Sequence, residues 1–178
     1  MFIHFETYLV LNKYIKISFA TFDIDVYTLD DKLNQMDSKQ LTSYHLFCFV
    51  YIGFAQLSSE NLSEQVIEEI ERKVARWMEV NPSNIVEFNK ILHETSDWYN
   101  NLEPEHKLKT VLEVAKSIKD IEGFTLENRK SFLSDIRDIA VSDGRFSSEE
   151  KHMHDIIGKE LGINIMTTDK DIKKKLGY

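Results

Sequence analysis

Apolar and polar positions change their rhythm near residue 36. Before it, Ile15-Lys16-Ile17-Ser18-Phe19 and Phe22-Asp23-Ile24-Asp25-Val26 alternate with period two, as half-buried strands do. Seven aromatics (Phe2, Phe5, Tyr8, Tyr14, Phe19, Phe22, Tyr27) crowd the same stretch. After Met36 the apolar positions recur every three or four residues, the spacing of one helix face. Residues 1–35 therefore read in two ways. They form a β-hairpin-like extension, or they are upstream sequence read through to a natural start at Met36. Residues 36–178 form the helical domain.

Within that domain, turn residues mark six to seven helices. The first, about Tyr44 to Gln56, is apolar nearly all round and is expected at the centre. The second starts at Ser63, carries Val66, Ile70, Val74, Trp77 and Met78 on one stripe, and is expected to end at Asn81-Pro82. The third carries Ile85, Phe88, Leu92 and Tyr99. Pro104 suits the first position of a fourth helix, which buries Leu108, Val111, Leu112, Ala115 and Ile118, with Gly123 as its stop. The fifth carries Leu126, Leu133, Ile136, Ile139 and Ala140 and ends at Asp143-Gly144. The sixth carries Met153, Ile156, Ile157 and Leu161, capped by Gly162, and a short seventh covers 169–176. Regular stripes joined by short loops predict an all-α helical bundle. Its core should draw on Phe47, Val50, Phe54, Val66, Ile70, Val74, Leu112, Ala115, Leu133, Ile136, Ala140 and Ile157.

Composition narrows the function classes. A chain of 178 residues with 42% hydrophobic and 29% charged residues is large enough for one domain with a real core. The formal net charge of −8 argues against nucleic acid as a partner, because a basic face normally supplies that affinity. The longest apolar run, Leu46 to Ala55, is half the length of a membrane-spanning helix, so no membrane insertion is expected. No signal peptide is evident, and the single cysteine allows no internal disulfide; both place the chain in the cytoplasm.

Most catalytic templates fail. The sequence holds no glycine-rich phosphate loop, no Gly-x-Ser-x-Gly elbow and no Cys-x-x-Cys. His93-Glu94 opens like a zinc-protease motif, but Asp97 stands where its second histidine belongs. His152 and His154 point in different directions on a helix and read as a solvated face. Cys48 reads as core packing. Lys170, Lys173, Lys174 and Lys175 complement a helix C-terminus.

One segment carries more: Asp143-Gly144-Arg145-Phe146-Ser147-Ser148-Glu149-Glu150. Ser147 and Glu150 have the spacing of a capping box, which accounts for both of them and leaves Asp143 unexplained. Asp143 and Glu150 also have the spacing of the second half of a calcium EF-hand loop. The first half fails, since Ile139 and Val141 occupy the first ligand positions. Two readings stay open: a cap alone, or a cap plus a divalent cation, calcium or magnesium, held by few protein ligands.

The stretch from about Leu108 to Ile163 resembles the tellurite-resistance TerB-like family. The resemblance rests on Ile139-Ala140-Val141-Ser142-Asp143-Gly144, on Phe146-Ser147-Ser148-Glu149-Glu150, and on a helix closing with Leu161-Gly162-Ile163. It implies an all-α bundle of two similar helix-loop-helix halves, each with an acidic corner suggested to bind metal. In the first half, Ser59, Glu60 and Val66 stand where the second has Asp143, Gly144 and Glu150, so the acids of that corner are missing, with Glu60 and Glu64 close by. The expected function is a non-enzymatic TerB-like binding module linked to tellurite or stress response, with a weak cation site at Asp143 and Glu150. The alternative is a metal-free adaptor that binds another protein. A third reading, an enzyme built on an acidic pair, requires a pocket with converging carboxylates.

Overall fold

A computed structural model describes residues 41–58, 62–144 and 146–163. Within the unit Ser43–Tyr178 these residues form six helices: α1 (Ser43–Ser58), α2 (Glu64–Trp77), α3 (Ile85–Asn100), α4 (Pro104–Ile118), α5 (Leu126–Val141) and α6 (Ser148–Glu160). The described fold is all-α. The strand-like 1–35 segment, the short 169–176 helix and the lysine cluster within it lie outside the described residues.

Helix α1 is the axis of the bundle. Every residue from His45 to Ala55 is buried, and α1 packs on all five other helices. A helix apolar on all sides has no polar face to turn to water, so its neighbours must surround it. On one side, Gly53 lets α4 come close: a Cβ at that position would lie 2.3 Å from Val111 Cγ2. On another, Phe47 sits among Trp77, Phe124 and Phe132, with ring centroids 5.2–5.3 Å away. Tyr51 stacks on Phe132 at 4.7 Å.

Helix ends follow local chemistry. Ser63, Thr125 and Ser147 cap α2, α5 and α6, each side chain accepting a backbone N–H three residues on. Pro104 opens α4 as expected. Helix α6 ends in a Schellman motif with Gly162 at φ +72°, its amide donating to Lys159 and that of Ile163 to Gly158.

Four expectations need correction. Helix α2 stops at Trp77 rather than at Asn81-Pro82, because Glu79 takes φ +50° and Val80 donates to Ala75, closing a Schellman motif without glycine. Gly123 lies in the connection beyond α4, which already ends at Ile118. Ile85, Leu108 and Leu126 are exposed by 41–44%, since each stands in the first or second turn of its helix, outside the overlap with neighbours. The inner face of α3 is Phe88, Ile91, Thr95 and Tyr99, and that of α4 includes Thr110 and Val114. Of the expected core, ten residues are buried, while Val66 and Leu112 are half-buried against it.

Candidate functional site

The acidic corner forms where α5 hands over to α6. Ser142 closes α5, Asp143 follows, and Gly144 turns the chain at φ +82°, a conformation that favours glycine. The capping box is complete: Glu150 N–H donates to Ser147 Oγ at 3.1 Å, and Ser147 N–H donates to Glu150 Oε2 at 2.6 Å. Glu150 therefore has a structural task whatever else it does.

Asp143 and Glu150 also line one small, partly open cleft of about 20 Å³. Phe54 and Ala55 from α1, Leu62, Ser63 and Val66 around the start of α2, and Ile139 and Ala140 from α5 complete its wall. The cleft thus joins the end of α1 and start of α2 to the end of α5 and start of α6. Asp143 is exposed and Glu150 half-buried, so both stay in reach of water. The first corner contributes Ser63 and Val66, not acids; Ser59 and Glu60 lie outside the described residues. Among the described residues, no three His, Cys, Asp or Glu side chains gather as a metal cage. Two carboxylates would leave most of a calcium or magnesium shell to water, the arrangement magnesium tolerates better.

Sequence reasoning missed a second constellation, between α2 and α5. Asp135, 1% exposed, accepts hydrogen bonds from Tyr51 Oη and Trp77 Nε1, both at 2.9 Å, and pairs with Arg76 at 2.5 Å and Lys73 at 3.1 Å. Lys73, 2% exposed, also reaches Asp138 at 2.5 Å and Glu69 at 3.3 Å. Burial alone would push the Lys73 ammonium down, but Asp138 and Asp135 outweigh it and hold its pKa up. Burial and the Asp135 charge push the Tyr51 hydroxyl well above its ordinary range. A signal existed: Lys73 falls on the Val66–Ile70–Trp77 stripe, and Asp135 lies between Phe132 and Ile139.

The histidines divide. His93 pairs with Asp97 at 3.3 Å in the open, and His152 is exposed. The solvated-face reading fails for His154, which is fully buried, with Nδ1 3.1 Å from Asp155 Oδ1 and the Phe146 ring edge-on. His45 is buried against Glu94 at 3.5 Å. Burial lowers the pKa of both buried rings despite these carboxylates. Cys48 is buried core.

Among the described residues, no helix is long and apolar enough to cross a membrane. Comparison of the chain with protein-family models, curated proteins and solved structures finds no match.

Proposed function

We propose that this chain is a non-enzymatic binding module of TerB-like character that takes one divalent cation weakly between Asp143 and Glu150. The observation that carries this reading is their convergence on one small cleft, where both stay in reach of water. The link to tellurite or stress response rests on the resemblance of the 108–163 stretch.

The test is thermal melting with and without about 5 mM calcium or magnesium, above the range of the weakest extracellular calcium modules. A bound cation stabilises by RT ln(1 + [L]/Kd). The expected result is a metal-dependent rise in Tm that disappears in Asp143→Asn and in Glu150→Gln. Gln still serves a capping box, so the second variant removes charge while keeping the helix start. No rise in the parent protein rejects the cation.

A second reading, the metal-free protein adaptor, is favoured by the start of α3. There Val86 is 64% exposed beside Ile85 at 41%, an apolar pair facing water. Under this reading, binding to a protein partner survives chelator and is lost in Val86→Asp.

A further inference from the structure

The inner face of α2 repeats itself. Val66, Ile70, Val74 and Met78 stand four residues apart, Val66 half-buried against the core and the other three buried. A slide of α2 by one turn, about 5.4 Å along its axis, would put one apolar side chain where another had been. Apolar burial is non-directional and roughly proportional to area, so this stripe by itself distinguishes poorly between the two positions.

The charges beside the stripe do not all repeat. Lys73 pairs with Asp135 at 3.1 Å and with Asp138 at 2.5 Å on α5, and both Lys73 and Asp135 are almost fully buried. One turn before Lys73 is Glu69, and one turn after it is Trp77. A slide in one direction would set the Glu69 carboxylate against Asp135 and Asp138 in place of the ammonium. The opposite slide would bring in the Trp77 indole and carry Lys73 a turn away from both aspartates. Arg72 and Arg76 are themselves one turn apart, so of the two cations on Asp135 only Lys73 discriminates between registers.

A buried ion pair suits this task. Its attraction is largely cancelled by the hydration both groups lose, so exchanging the whole pair for neutral groups changes stability little, while a mismatched charge left in the core is costly. A single buried polar residue fixes the register of coiled helices on the same grounds.

We propose that the cluster of Lys73, Asp135 and Asp138 is a register lock, which selects one axial position of α2 on α5 while adding little net stability. That position is the one that places Leu62, Ser63 and Val66 in the same cleft as Asp143 and Glu150. The lock stands whether or not a cation binds there.

Nuclear magnetic resonance on the full chain tests the lock through Lys73→Met combined with Asp135→Asn. The double variant removes both buried charges together, and Asn keeps an acceptor for Tyr51 and Trp77. Glu69 retains Arg72, while the Arg76 and Asp138 side chains, 49% and 26% exposed, stay in reach of water. The variant should melt within about 5 °C of the parent or above it. The Trp77 indole N–H and the amides of α2 should each give more than one signal, or broaden, as registers coexist. Trp98, which packs on Phe49 from α3, should keep its single signal. One sharp set of signals for Trp77 and α2 overturns the proposal, because the Trp77 ring against Phe47 and Phe124 would then set the register unaided. A Tm more than about 5 °C lower, or a variant that does not fold, also overturns it, by making the cluster a source of net stability.

Discussion

Helix α1 meets its neighbours through two different kinds of interface. Toward α4 it offers Gly53 to Val111, a contact set by shape alone. Toward α2 and α5 it offers the Tyr51 hydroxyl to a buried carboxylate that also takes Trp77, Arg76 and Lys73. A shape contact degrades by degrees, since side chains can shift a few tenths of an ångström. A buried polar network holds only while each member has its partners, because an orphaned charge or donor retains its full desolvation penalty. The two sides of one helix should therefore respond differently to damage.

The largest expected effect is on the polar side. Asp135→Ala takes the buried acceptor from Tyr51 and Trp77 and leaves Lys73 only Asp138 and Glu69, so urea denaturation should show a loss of about 3–5 kcal/mol. Ile136→Ala, next in sequence and also fully buried, should cost about 2–5 kcal/mol by cavity formation alone. A loss below about 1 kcal/mol for Asp135→Ala would remove the network from the list of what holds α2 to α5.

On the shape side, Gly53→Ala tests the close approach directly. Overpacking should cost about 1–3 kcal/mol, offset by at most about 1 kcal/mol of helix propensity. Net destabilisation is expected because Val111 is stiff and fully buried. A variant that melts above the parent would mean the two helices can part without cost.

The smallest effect concerns the buried histidines, which belong to neither interface. His45 and His154 both have pKa values lowered by burial from an ordinary 6.5. Above pH 6.5 both are neutral in the folded and the unfolded chain and add no pH dependence. As pH falls below 6.5 the unfolded chain takes up protons that the folded chain refuses, so stability drops until the lowered folded values are passed. Melting at about pH 7 and about pH 5.5 should show this drop, and His154→Gln should reduce it. An equal drop in that variant would assign the acid sensitivity elsewhere.

The apolar stripes made the helices legible, because burying one face of each is what drives their packing. The central place of α1 followed from its lack of any polar face. The stripes misled at helix starts, where Ile85, Leu108 and Leu126 continue the period but extend past their neighbours. They misled again at Lys73, Asp135 and His154, where a charged or titratable side chain sits on the inner face. One helix read alone sends such a residue to water; for Lys73 and Asp135 it is the partner on another helix that makes burial possible. The end of α2 was hidden for a different reason. Glu79 takes a left-handed conformation that glycine or asparagine usually fills, so no residue type marked it. At the acidic corner, the capping box was legible in full from Ser147 and Glu150. The cleft was not, because its wall comes from four separate helices.

The place of Cys48 gives the molecule a chemical property of its own. Burial pushes this thiol up to about 12, against a weaker pull from the Thr95 hydroxyl. Electrophiles and peroxides react with thiolate, and at neutral pH the folded protein holds almost none. Once the chain opens, the same sulfur becomes an ordinary reactive thiol. Alkylation thus serves as an internal clock for unfolding events, with no engineered probe. Oxidative damage is likewise selective: it marks molecules that have already come apart, and a sulfur oxidised to its sulfinic or sulfonic form bars them from closing around α1 again.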